Sequence, residues 1–115
     1  MTQQIIDSKI INLQDYRTPK SKVFTGRDRG ERVRLDSNID LLADENEIIK
    51  IIIPDNLYSI NPSFFEEFLI NVVRKYRKEG FLKKFIFENT GDYNYLKPLN
   101  EAIDRILRAN IALYK

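Results

Sequence analysis

The segment from Asn46 to Glu88 constrains the fold more than any other part of the chain, because it reads strand, turn, helix, strand. It opens on Glu47-Ile48-Ile49-Lys50-Ile51-Ile52-Ile53, five isoleucines broken by one lysine. A short β-branched run of this kind predicts a strand buried on both faces. Pro54 ends it, since proline has no N–H for a sheet ladder. Asn61-Pro62 predicts a helix start: asparagine caps well, and proline is pre-organised for the first helical position. Ser63-x-x-Glu66 offers a competing capping box one or two residues later. Phe64, Phe65, Phe68, Leu69, Val72, Val73 and Tyr76 then recur at the spacing of one helical face. Glu66 and Glu67 fall in the positive first turn, and Arg74, Lys75, Arg77 and Lys78 in the negative last one. Gly80 reads as a left-handed stop, and Lys84-Phe85-Ile86-Phe87-Glu88 as a second buried strand. Two strands joined through a helix should be parallel, with a right-handed connection.

On either side of this unit the signals are thinner. Lys9–Leu13 reads as a strand, preceded by a frayed N-terminus over residues 1–8, and Gln14 to Lys22 as a loop. Thr25 with Asp28 three residues on resembles a capping box, opening an arginine-rich helix that runs to Leu35. Gly30 sits mid-helix, which costs about 1 kcal/mol relative to alanine. That cost points to close packing or to a ligand. Asp36 to Asn46 links to the central strand through a short helical turn. After the second strand, Asn89 to Tyr95 is a turn-rich loop. Pro98 opens a last helix with Leu99, Ala102, Ile103, Ile106 and Leu107 on one face. Ile111 to Tyr114 either extends that helix or adds a closing strand; the favoured end lies near Asn110.

With 115 residues, 43% of them apolar and 31% charged, the chain suffices for one globular domain, 1–115. It has no cysteine and no histidine. Disulfides, thiol catalysis, Cys/His zinc sites and every imidazole base are therefore excluded. Glu66 and Glu67 do not replace them as an acid/base pair, because adjacent helical residues point roughly 100° apart. No metal or cofactor is expected, and no enzymatic activity. No apolar run approaches membrane-spanning length, and the start lacks the features of a signal peptide, so the expected compartment is the cytoplasm.

Two stretches carry a resemblance. Ile53, Leu57 and Ile60-Asn61-Pro62-Ser63-Phe64 fall on the frame of the sulfate transporter and anti-sigma factor antagonist (STAS) domain. In that frame a strand-end Asp is followed by a hydrophobic residue and then by Ile-Asp-Ser-Ser-Gly at a helix head. The chain is still more similar to bacterial STAS-like domains of uncharacterised function. Their Ser-Arg-x-x-Gly-x-Arg helix corresponds to Gly26-Arg27-Asp28-Arg29-Gly30-Glu31-Arg32. Their Ser-Phe-x-x-Glu-Phe helix start corresponds to Ser63-Phe64-Phe65-Glu66-Glu67-Phe68. The similarity covers roughly Lys9 to Arg108. It implies an α/β domain with a small mixed sheet, a right-handed β-α-β crossover and helices mainly on one face. It also implies a regulatory, protein-binding role with an ATPase or kinase-like partner. The serine that antagonists offer to a kinase is Pro62 here, so the phosphoserine switch does not carry over.

Three surfaces follow as candidates. The carboxyl ends of parallel strands are where ligands and partners gather in open α/β sheets. Here they bring Asp55, Asn56, Tyr58, Ser59, Asn61 and Ser63 together with Asn89, Thr90, Asp92, Tyr93 and Tyr95, a composition suited to protein recognition. For Asn61 and Ser63 a capping role is the stronger reading. Arg27, Arg29 and Arg32 offer an anion or partner contact at a helix start, although Asp28 and Glu31 interleave. The segments 27–34 and 74–84 are basic enough to make nucleic-acid binding the alternative function. Against it stands a net charge of only +2, and helix-end placement accounts for the second segment. The expected function is a non-catalytic regulatory module that binds a protein partner through the 54–63 loop and the adjoining helix start.

Overall fold

The computed structural model describes residues 8–113. The frayed segment expected at 1–8 therefore lies outside the described residues except for Ser8, which already belongs to the first strand. In chain order the elements are β1 (Ser8–Asn12), a 3-10 turn (Leu13–Tyr16), β2 (Val23–Phe24), α1 (Arg27–Ser37) and α2 (Ile39–Glu45). They continue with β3 (Ile48–Ile53), β4 (Ser59–Ile60), α3 (Pro62–Lys84), β5 (Phe85–Asn89) and α4 (Leu96–Leu113). The last helix continues three residues past Asn110, so Ile111 to Leu113 extend it and form no closing strand.

The expected parallel pair is present. β3 lies at the centre of a three-stranded sheet of order β1-β3-β5, and both neighbours run parallel to it. β2 and β4 form a second, two-residue parallel pair. The sheets are thus all-parallel, where a mixed sheet was expected: each connection between paired strands contains a helix, which returns the chain to its starting end. The β2–β4 pair was invisible in the sequence because two residues cannot display an alternation.

The central strand departs from expectation in a second way. Ile49, Ile51 and Ile53 are fully buried, while Ile48, Lys50 and Ile52 are only half-buried. The helical layer covers one face alone. On that face Phe65 meets Phe87 edge-on at 6.5 Å and Phe81 stacks on Phe85 at 4.7 Å. The other face carries a Lys50–Glu88 ion pair of 2.9 Å, flanked by Ile10 and Ile86 at 61% and 48% exposure. The molecule is accordingly thin, 44 × 44 × 23 Å, as two layers require.

α3 organises the helical layer, burying Phe64, Phe65, Phe68, Leu69, Val72 and Val73. Its cap is Asn61, whose side-chain oxygen accepts from the Ser63 N–H at 2.8 Å; the competing Ser63–Glu66 box is not used. Gly80 does not end the helix. The backbone breaks at Arg77, with φ 64° and ψ 176°, and then resumes a helical course to Lys84. That second segment drives Phe81 into the core, and at Gly80 a side chain would press on Tyr76 Cβ at 3.2 Å. The Thr25 capping box is likewise absent. Gly26 is the cap of α1, at φ 91°, a conformation that favours glycine. Of the two readings left open for Gly30, close packing holds. A methyl group there would meet the Phe64 carbonyl oxygen and lie 3.1 Å from the Phe68 nitrogen.

Candidate functional site

The carboxyl ends of β3 and β5 do bring the two candidate loops together. Thr90 ties them at the root, its N–H and hydroxyl both donating to the Ile53 carbonyl at 3.0 and 2.8 Å. Gly91 then passes so close to Asp55 that a Cβ would stand 2.8 Å from the Asp55 Cα. The Tyr93 hydroxyl accepts from the Ile60 N–H at 3.1 Å, and the Asn89 amide donates to the Tyr93 carbonyl at 2.8 Å. Each tie is modest alone, about 1 kcal/mol net, but together they hold both loops to the sheet.

A third segment, missed in the sequence, completes the support. The Lys22 carbonyl accepts from the N–H groups of Tyr58 and Ser59 at 2.7 and 3.3 Å, and the Phe24 carbonyl accepts from Asn61 at 2.9 Å. Arg17 reaches the Asn56 carbonyl at 2.6 Å and the Ser21 carbonyl at 2.8 Å. The only sequence signal for this role was Val23-Phe24, an apolar pair in an otherwise polar stretch. Asn56 is left-handed, at φ 56°, a conformation asparagine tolerates well.

With these bonds made, the candidate residues divide. Asp55, Asn56, Tyr58 and Asp92 are exposed, and Tyr58 is bare to 81%. Asn61, Ser63 and Tyr93 have structural work. Asn61 accepts both the Ser63 N–H and the Ser63 hydroxyl at 2.8 Å. Ser59 is half-buried in the β4 ladder. Tyr95 stacks on Phe87 at 5.5 Å, and burial raises its phenol above the ordinary tyrosine range. What remains free is a surface led by Tyr58, with Asp55 and Asp92 on the turns. A shallow cleft of about 170 Å³ that includes Arg17, Lys20, Lys22 and Asn56 adjoins it.

The arginine helix lines a larger depression, about 470 Å³, with Thr25, Gly26, Arg27, Asp28, Arg29 and Arg32 around it. Most of its charge is engaged. Arg27 pairs with Glu66 and Glu67 at 3.4 and 3.5 Å. Arg29 donates to the Tyr16 carbonyl at 2.9 Å and to the Thr18 hydroxyl at 2.7 Å, fastening the 3-10 turn to α1. Arg34 bonds the Glu67 carbonyl and carboxylate. Arg32 alone among the three candidate arginines has no side-chain hydrogen bond or ion pair among the described residues. Glu66 and Glu67 thus serve as counter-ions, Glu66 also meeting Arg105 at 3.7 Å.

The second basic segment is engaged at Lys75 and Lys84, while Arg74, Arg77, Lys78 and Lys83 have no side-chain hydrogen bond or ion pair among the described residues. Lys75 pairs with Asp44 at 2.5 Å. Lys84 donates to the Asn46 carbonyl at 2.6 Å and lies 5.2 Å from the Tyr76 ring centre. The Tyr76 hydroxyl donates to Asp44 at 3.0 Å. Among the described residues, no helix is long and apolar enough to cross a membrane. Comparison with protein-family models, with curated proteins and with solved structures finds no match.

Proposed function

We propose that this chain is a non-catalytic, STAS-like regulatory module of the cytoplasm that binds a protein partner through the 54–63 loop and the start of α3. One observation carries the reading: Tyr58 stands 81% exposed on a loop whose backbone is fastened to its surroundings at both ends. A tyrosine held this way presents a large amphipathic face at little further cost in conformational entropy, which is how interface anchors gain affinity. Lys20 and Lys22 in the adjoining cleft, and exposed Asp55 and Asp92 on the turns, supply both signs of charge for orienting a partner. The motif resemblance supports an ATPase or kinase-like protein in that role. Pro62 leaves no hydroxyl at the position where antagonists are phosphorylated, so binding is constitutive and gated by the partner's own nucleotide state.

The test is affinity capture from the native host with the intact chain and with Tyr58→Ala, each with and without ATP. A nucleotide-binding protein should be retained by the first and lost from the second. Urea unfolding of the variant should match the parent, because the ring touches so little of the protein. Retention of the same proteins by both chains would rule out the loop as the binding site.

A further inference from the structure

We propose that two copies of this chain associate through β1, pairing antiparallel about a two-fold axis so that two three-stranded sheets become one of six. The inference concerns a surface that uses none of the 54–63 loop residues.

β1 pairs on one side only among the described residues, with β3. Among the described residues its other edge has no strand partner, which leaves the usual template for adding a strand. Parallel sheets are ordinarily covered on both faces, yet this one leaves Ile10 61% exposed on its open face. Beside the edge, on the helical side, lies a groove of about 200 Å³ whose walls include Asn12, Asp15, Tyr16, Asp36 and Leu42. Neither Asp15 nor Asp36 has a cation within 4 Å among the described residues. Their charge is felt in the groove: after burial, they are what holds the Tyr16 phenol above its ordinary range.

The register within the chain says which side chain can answer them. Lys9 and Ile11 lie beside Ile49 and Ile51, both fully buried under the helices, so both point to the helical side. Ile10 lies beside Lys50 and points to the open face. An axis at Ile10 sets that residue opposite itself, apolar against apolar, and sets Lys9 opposite the second copy's Ile11. Lys9 then extends along the second copy's groove toward Asp15 and Asp36, and symmetry makes the contact twice. The same short strand supplies both the lysine and the groove edge, which is why a second copy fits better than an unrelated peptide. β5, at the opposite edge, lacks this complement: its Glu88 is already paired with Lys50 inside the chain. A five-residue ladder with few side chains falls in the small, weakly associating class of interface.

Sedimentation equilibrium of the full chain from about 10 to 300 μM tests the proposal, that range bracketing weak association. The parent should approach twice the mass of one chain. Ile10→Lys sets like charges opposite each other on the axis and should weaken association about tenfold or more. Circular dichroism should show its fold unchanged, since that side chain is mostly exposed. Ile86→Lys, on the same open face at the other edge, should leave the dimer intact. Lys9→Glu and Asp36→Lys should each weaken it, and their combination in one chain should restore it. A monomer at every concentration overturns the proposal, as does a dimer indifferent to Ile10→Lys. Disruption by Ile86→Lys as strong as by Ile10→Lys overturns it in favour of face-to-face packing, and a double variant that recovers nothing overturns the register.

Discussion

At Gly30 the backbones of α1 and α3 approach until a methyl group would meet the Phe64 carbonyl oxygen and the Glu67 Cβ at 2.9 Å. Helix propensity alone would reward alanine there by about 1 kcal/mol. The obstacles, however, are backbone atoms that cannot turn aside, so the helices must part and disturb Phe64 and Phe68 between them. Gly30→Ala should therefore lose about 1–3 kcal/mol of stability, as overpacking does. Urea unfolding measures it, and a variant more stable than the parent would show that the helices part freely. The residue illustrates what a sequence shows: a glycine where a helix should have none is visible as a cost. The neighbour that justifies the cost is fixed only by tertiary approach. Asn61 makes the same point in reverse, since its capping role is local chemistry and was legible beforehand, whereas the capping role read for Ser63 is not found.

The elements were legible wherever periodicity was long, and their breaks were not. Gly80 looked like the end of α3 because glycine tolerates left-handed backbone, yet the break falls on Arg77. Breaking there turns the following segment so that Phe81 reaches Phe85 and Phe87, and aromatic burial outweighs local strain. The φ 64°, ψ 176° conformation of Arg77 is one that costs about 1–3 kcal/mol in any residue but glycine. Glycine adds about 0.5–1 kcal/mol of chain entropy in the unfolded state. Arg77→Gly should consequently raise stability by about 1 kcal/mol, seen as a higher urea midpoint with an unchanged slope; a lower midpoint would mean the conformation is not strained. The junction of α2 and α3 has a pH dependence of its own. Hydrogen bonds from Lys75 and then Tyr76 hold the Asp44 carboxyl below the usual carboxylate range. A depressed folded pKa contributes stability above the unfolded value, about 4, and loses it as pH falls through the folded value. Asp44→Asn should thus unfold at lower urea than the parent at neutral pH, and at the same urea once the solution is acidic enough to protonate both states. A gap that persists in acid would assign the loss to packing. Lys75, held above its ordinary range by the same hydrogen bond, makes the complementary contribution, intact below its unfolded pKa and fading as pH rises through the folded one.

For the molecule as a whole, the β-α-β unit, the parallel pair and the position of the loops at the strand ends were all legible, because each follows from chain order and hydrophobic period. The open sheet face followed only from the family resemblance, which implied helices mainly on one face, and not from the strand residues themselves. An isoleucine run reads the same whether one face or two are covered, and only the placement of all four helices on one side decides it. Charge was also only half legible. The sequence places the basic residues, but whether they are free depends on acids some 30 to 40 positions away, such as Asp44 for Lys75 and Glu67 for Arg27. With those pairs formed and a net charge of +2, random-sequence DNA or RNA should bind no tighter than about 10⁻⁶ M at physiological salt. Fluorescence anisotropy across a salt series checks this. Sub-micromolar affinity abolished by reversing Arg27, Arg29 and Arg32 would instead establish nucleic-acid binding.

Among the described residues, no strand pairs with the next one along the chain. Ser8 waits for Ile48, Val23 for Ser59 and Ile49 for Phe85. The order of events in time follows from that. Every ladder must close a loop of roughly 36 to 40 residues before its first hydrogen bond is rewarded, and no local hairpin can serve as a seed. During synthesis, β3 stays single-flanked and the aromatic face of α3 stays half-covered until the ribosome has released residues 85–89 and the α4 residues that follow. Such a chain folds late and as a unit, at rates set by long-range encounters more than by how quickly its helices form.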